Sequence, residues 1–84
     1  MEMNEELRKD AELGRKAKIA EEFFREYLDT RREEIVREIE AGEMDDHDLR
    51  ISAIELQVIK RFHYECEHLI QRGEIAEEEL RNGE

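Results

Sequence analysis

The chain contains no proline and no tryptophan, one cysteine and four glycines in 84 residues. Without proline, nothing in it stops or kinks a helix by removing a backbone N–H. With Cys66 alone no internal disulfide can form, so a short chain has no covalent staple. A lone thiol suits a reducing compartment, and a cytoplasmic location is the expectation. Long hydrophobic runs are missing too. No stretch approaches the roughly 20 apolar residues of a membrane-spanning helix, and Met1–Glu6 has neither the basic region nor the apolar run of a secretory signal. Hydroxyl side chains of the serine/threonine type number two, Thr30 and Ser52, and there is no glycine-rich phosphate loop. No nucleophile–base arrangement can be assembled from them, so the chain is read as not an enzyme, with no cofactor.

What the chain has in abundance is charge. Charged residues make up 46% and the formal net charge is −11. Residues 1–42 carry 9 basic and 13 acidic side chains; residues 43–84 carry 5 and 12. Such a surface repels phosphate backbones and anionic membranes, so no direct nucleic-acid or membrane binding is expected, whereas a basic protein partner would be attracted. High charge with 6% aromatics can mark disorder, but the apolar residues here are periodic. Fraying is expected only over about residues 1–6 and 82–84.

The periodicity is helical. In the first half Leu13, Ala17, Ala20, Phe24, Leu28, Ile35 and Ile39 recur at spacings of three, four and seven, which predicts a helix over about 4–41. Gly42 follows it and supplies the left-handed residue that ends helices. Asp45 or Asp46 can cap a second helix over about 46–72. Its stripe is Leu49, Leu56, Ile59, His63, Cys66 and Ile70, close to a heptad repeat. Five glutamates stand four residues before a base, at Glu5–Lys9, Glu12–Lys16, Glu21–Arg25, Glu33–Arg37 and Glu77–Arg81. Each pair contributes a few tenths of a kcal/mol, and all favour helix. Residues 39–50 and 70–81 echo one another, repeating isoleucine, glycine, glutamate, leucine and arginine 31 positions apart. Read as one corner used twice, the echo predicts a stop at Gly73 and a short third helix over about 76–82. The fold class is therefore all-α: a single domain built as a long antiparallel helical hairpin with a short C-terminal helix.

Each helix carries more apolar residues than a hairpin can cover. Beside the second stripe run Ile51, Ile54, Val58, Phe62 and Leu69, and the first helix adds Ile19, Phe23 and Val36. Left wet, these form a large patch on a small chain. A homo-oligomer is therefore expected, a dimer completing a four-helix bundle being the simplest, with Phe23, Val58, Phe62 and Leu69 between subunits.

The constellations that could carry chemistry are thin. His63 and Cys66 share a face with Glu67 beside them, but zinc needs a second ligand pair and none answers. Glu65 and His68 have the Glu-x-x-His spacing of di-iron carboxylate bundles. With the turn near residue 43 or 44, partner positions sum to about 87, which sets Glu22 level with Glu65. Glu22, Glu65 and His68 are thus the metal candidates. Asp45, Asp46, His47 and Asp48 lack the glycine and closing glutamate of a calcium loop, and capping accounts for them. Lys18, Arg25 and Arg32 recur every seven residues, with Glu22 and Asp29 one turn away, as on a salt-bridged solvent face. Glu77, Glu78 and Glu79 form an acidic patch near the C-terminus.

Three functional classes follow. The leading one is an acidic helical protein–protein interaction module, an adaptor, assembly factor or inhibitor of a basic partner. The second is an acidic decoy that mimics nucleic acid in the cleft of a DNA- or RNA-binding protein, which requires the carboxylates to form one continuous face. The third is a metal-binding helical bundle.

Overall fold

The computed structural model describes residues 2–83 and contains two helices, α1 (Glu2–Glu40) and α2 (Asp46–Asn82), with no strand among the described residues. The corner between them is set by local chemistry. The Ala41 N–H still donates to the Arg37 carbonyl at 2.9 Å, and the Gly42 N–H donates to the Ile39 carbonyl at 3.1 Å. Gly42 then takes φ +71°, a conformation any Cβ would resist. Asp45 is the N-cap of α2: extended at φ −77°, ψ 173°, its Oδ1 accepts the Asp48 N–H at 2.8 Å. Asp46 and Asp48 lie in the first turn, where the helix dipole favours anions.

The helices run antiparallel and pack along their whole length, giving a rod of 60 × 21 × 13 Å. Residues facing across the seam sum to about 87. Gly14 meets Gly73, Phe24 meets Phe62, and Arg31 meets Glu55. The core is narrow: Ala11, Ala17, Ile35, Ile59, Cys66 and Ala76 are its buried apolar side chains, and Ile35 is the one large side chain fully covered. On α2 the buried positions Ser52, Ile59, Cys66 and Gly73 repeat every seven residues, as an antiparallel pair of nearly straight helices requires. The buried Ser52 hydroxyl lies 3.6 Å from the Met44 sulfur, so it is not left unpaired.

The expected third helix is absent, because α2 continues unbroken through Gly73 to Asn82. Gly73 is not a stop. It lies where the two helix backbones come close, and a Cβ on it would stand 2.8 Å from the Gly14 Cα and 3.1 Å from the Asp10 carbonyl oxygen. Beyond it Ala76 is buried and Leu80 half-buried. The two halves of the echo therefore differ physically: the first has an aspartate cap after its glycine, and the second has Ala76, which packs. Fraying over residues 2–6 and at Asn82 is not seen either, since α1 is helical from Glu2 and α2 through Asn82; Met1 and Glu84 lie outside the described residues. Gly14 causes no break.

Within the stripes, Ala17, Ile35, Ile59 and Cys66 are buried as expected, but Leu13, Phe24 and Leu49 lie at the margin and remain exposed. Of the intrahelical pairs, Glu12–Lys16 at 3.1 Å, Glu21–Arg25 at 3.1 Å and Glu33–Arg37 at 3.7 Å form. Glu77 turns instead across the seam to Arg15 at 2.7 Å, and Glu5 and Lys9 form no ion pair among the described residues. No described helix is long and apolar enough to cross a membrane.

Candidate interaction surface

The ion pairs across the seam divide the hairpin into two lateral faces. Arg31 grips Glu55 with two parallel bonds, Nε to Oε1 at 2.7 Å and Nη2 to Oε2 at 2.9 Å, and reaches Glu34 at 3.2 Å. Farther along the same side Arg72 meets Asp10 at 3.3 Å. On the other side Arg15 meets Glu77. Helical periodicity, three to four residues per turn, assigns the remaining positions to these faces.

The Arg31 face is apolar between its ion pairs. Phe23 is 78% exposed, Tyr27 68%, Val58 61% and Ile54 58%, with Leu13, Phe24, Ile51 and Ile75 flanking them. Phe23 packs edge-on against Phe24 at 5.0 Å between centroids, and Phe24 against Phe62 at 6.2 Å. An aromatic row thus crosses the seam. Of the expected interface residues, Phe23 and Val58 stand fully on this surface, and Phe62 and Leu69 are half-buried within the hairpin, where they form its floor.

A compact monomer of 10.1 kDa has an accessible surface of about 5,300 Å², and this rod exposes 7189 Å². Large apolar side chains of roughly 200 Å² each, 43% to 78% exposed on this face, leave on the order of 900 Å² of surface in sum, against the roughly 800 Å² per partner of a standard interface.

Electrostatics on that face are largely settled inside the chain. Arg31 holds the Glu55 carboxyl below its ordinary range, and Glu55, then Glu34, hold the Arg31 proton more tightly than in free arginine. Burial pushes the Cys66 thiol upward, with the nearby carboxylates of Glu21 and Glu65 adding to it. A thiol so held is a packing group and a poor nucleophile.

The metal candidates do not converge. Glu22 and Glu65 are level along the rod, but Glu22 lies seven residues after Arg15 and Glu65 seven before Arg72, which puts them on opposite lateral faces. Glu65 pairs with Arg61 at 3.8 Å, and His68 stacks on Tyr64 at 6.4 Å with the rings 8° apart. No group of three His, Cys, Asp or Glu side chains that could hold a metal ion occurs among the described residues. The Glu77–Glu79 run is likewise dispersed, because consecutive helical residues point about 100° apart. Glu77 is bound to Arg15, Glu78 lies on the outer back of α2, and Glu79 lies on the Arg72 side.

The basic line on α1 differs from the expected salt-bridged face. Arg25 pairs with Glu21, but Lys18 and Arg32 form no ion pair among the described residues. The seven-residue spacing signalled this line; its company of carboxylates was overestimated, because Glu22 and Asp29 do not reach it.

No known protein family, curated protein or solved structure matches this chain.

Proposed function

We propose that this protein is a non-catalytic helical interaction module whose working surface is the apolar Arg31 face, and that its first partner is a second copy of itself. The observation that carries the reading is the one-sided exposure of Phe23, Tyr27, Ile54 and Val58. Two hairpins joined through that face form a four-helix bundle, in which apolar area is withdrawn from water at about 25 cal/mol per Å². The ion pairs on that face are closed within each chain, so it adds little unpaired charge to the contact. A twofold arrangement sets the same patch against itself. The carboxylates, by contrast, lie on both outer backs and on both lateral faces, a distribution that favours an interaction module over a nucleic-acid mimic.

Sedimentation equilibrium at micromolar concentration tests it. The wild type is expected to sediment as a dimer, and Val58→Asp as a monomer with unchanged helicity, since Val58 is exposed within the hairpin. A wild type that stays monomeric at 100 μM, roughly the affinity a poor contact of this size still reaches, would end the proposal.

A further inference from the structure

The lateral face opposite the apolar one contains a groove that the dimer leaves unused. It has a volume of about 480 Å³ and lies in the half of the rod nearer the turn, lined by Asp29, Arg32 and Val36 of α1 and by Leu56, Ile59, Lys60 and His63 of α2. Its floor is apolar, with Ile59 buried and Val36 and Leu56 half-buried. Its rim carries two cations, Arg32 and Lys60, neither of which forms an ion pair among the described residues. On the apolar face the two seam cations, Arg31 and Arg72, are both neutralised by carboxylates across the seam. In a chain of net charge −11, this places two cations without an ion pair beside an apolar floor.

We infer that this groove is a second docking site, and that its occupant is an acidic amphipathic helix of another protein, seating an apolar side chain on Ile59 and Leu56 while its carboxylates meet Arg32 and Lys60. The argument rests on charge complementarity and on shape. The groove is open and follows the seam. Two more grooves lie on the same lateral face toward the other end, one of about 250 Å³ over Gly14 and Ile70 and one of about 680 Å³ beside Arg8 and Arg81, but Glu74 and Glu77 line the first and Glu12 and Glu77 the second. A groove open along the seam between two helices suits a side chain presented by a third helix better than an enclosed small molecule. Arginine and lysine on its rim select carboxylates, and arginine can take one with two bonds. Asp29 is the one carboxylate among its lining residues, and the two cations outnumber it. The site is independent of self-association because it uses the other face.

The test is fluorescence anisotropy at pH 7.5 with a labelled 16-residue helical peptide carrying leucines on one face and glutamates beside them. A peptide with lysine in place of every glutamate and a 16-nucleotide single-stranded DNA serve as comparisons. The acidic peptide is expected to bind, and more tightly than the lysine peptide at 300 mM salt, where screening removes the general attraction of the −11 chain for cations. Arg32→Glu with Lys60→Glu is expected to reduce affinity at least tenfold. Asp29→Asn, which removes the one opposing charge, is expected to tighten it, an opposite sign that general damage to the fold does not produce. Val58→Asp on the other face is expected to leave binding intact, which separates this site from the dimer contact. Equal binding of the lysine peptide, tighter binding of the DNA, or indifference to the rim substitutions would each overturn the inference. So would loss of the dimer in the Arg32→Glu/Lys60→Glu variant, which would make a second copy the occupant.

Discussion

Gly14 and Gly73 meet back to back, so close that a Cβ built on either would stand 2.8 Å from the Cα of the other. A Cβ on Gly14 would also lie 2.9 Å from the Leu69 carbonyl oxygen, and neither obstacle is a side chain that could swing aside. Gly14→Ala therefore pits two effects against each other. Alanine is the better helix former by about 1 kcal/mol, while forcing the backbones apart costs about 1–3 kcal/mol and loosens Ala11, Ala17 and Ala76 around it. The expected outcome is net destabilisation of about 1–2 kcal/mol in urea unfolding, once the propensity gain is offset by the clash. Gly73→Ala should behave alike. A stabilised Gly14→Ala variant would show that the helices do not touch there.

Gly42 gives the contrasting case. Nothing lies within 4 Å of a Cβ at that position, so the space is open and the obstacle is the φ of +71° alone. Gly42→Ala should cost about 1–2 kcal/mol, the price of a left-handed alanine. Gly42→Asn should cost less, because asparagine tolerates that region. Two glycines equally plain in sequence thus fail for unrelated reasons, and thermal melts of Gly42→Ala, Gly42→Asn and Gly14→Ala separate the two.

The bidentate Arg31–Glu55 pair makes stability depend on pH. Arg31 holds the folded-state pKa of Glu55 below its ordinary 4.5, so the folded chain binds fewer protons there than the unfolded one. The contribution is fully present above about pH 4.5 and is lost as pH falls through the lower folded value. Glu55→Gln should accordingly be less stable than wild type at neutral pH, and the two should converge in acid. Denaturant melts across the acid range give the check. A constant gap between them would show that the pair carries no proton linkage. Both side chains are about one-third exposed, so screening by salt should shrink the gap at neutral pH.

The hairpin was legible in the sequence wherever one local rule acted alone. Apolar spacing gave two helices, the Asp45–Asp46 pair gave the cap, which falls on Asp45, Gly42 gave the turn, and turn symmetry gave the register later seen at Gly14 and Gly73. Gly73 was misread because glycine serves two purposes that look the same in one dimension: a helix stop, and a place where another backbone comes close. The partner that decides between them, Gly14, is 59 residues away. The lateral faces were half legible. The width of the apolar stripes announced an excess of Phe23, Val58 and their neighbours, but the segregation of apolar residues from unpaired cations depends on which side of the seam each falls. That follows from the antiparallel pairing and not from either helix by itself.

Self-association through the apolar face should strengthen as salt rises. Each copy carries a formal −11, so bringing two together raises a long-range repulsion that screening relieves within about 8 Å at physiological ionic strength. The proposed contact is apolar, with Arg31 and Arg72 already paired inside each chain, so little attraction would be lost to the same screening. Sedimentation equilibrium from 50 to 500 mM sodium chloride should therefore show the dimer dissociation constant falling severalfold. Phe23→Asp places a carboxylate where a ring was 78% exposed within the hairpin. It should weaken the dimer by tenfold or more, about 1.4 kcal/mol per decade, while leaving helicity near wild type, because Phe23 contributes little to the fold of one chain. Phe62→Asp should do both kinds of damage, since Phe62 is half-buried against Phe24 across the seam. The difference between those two variants separates the interface from the core. A dimer that weakens with salt would mean that charged groups, not Phe23 and Val58, hold the copies together.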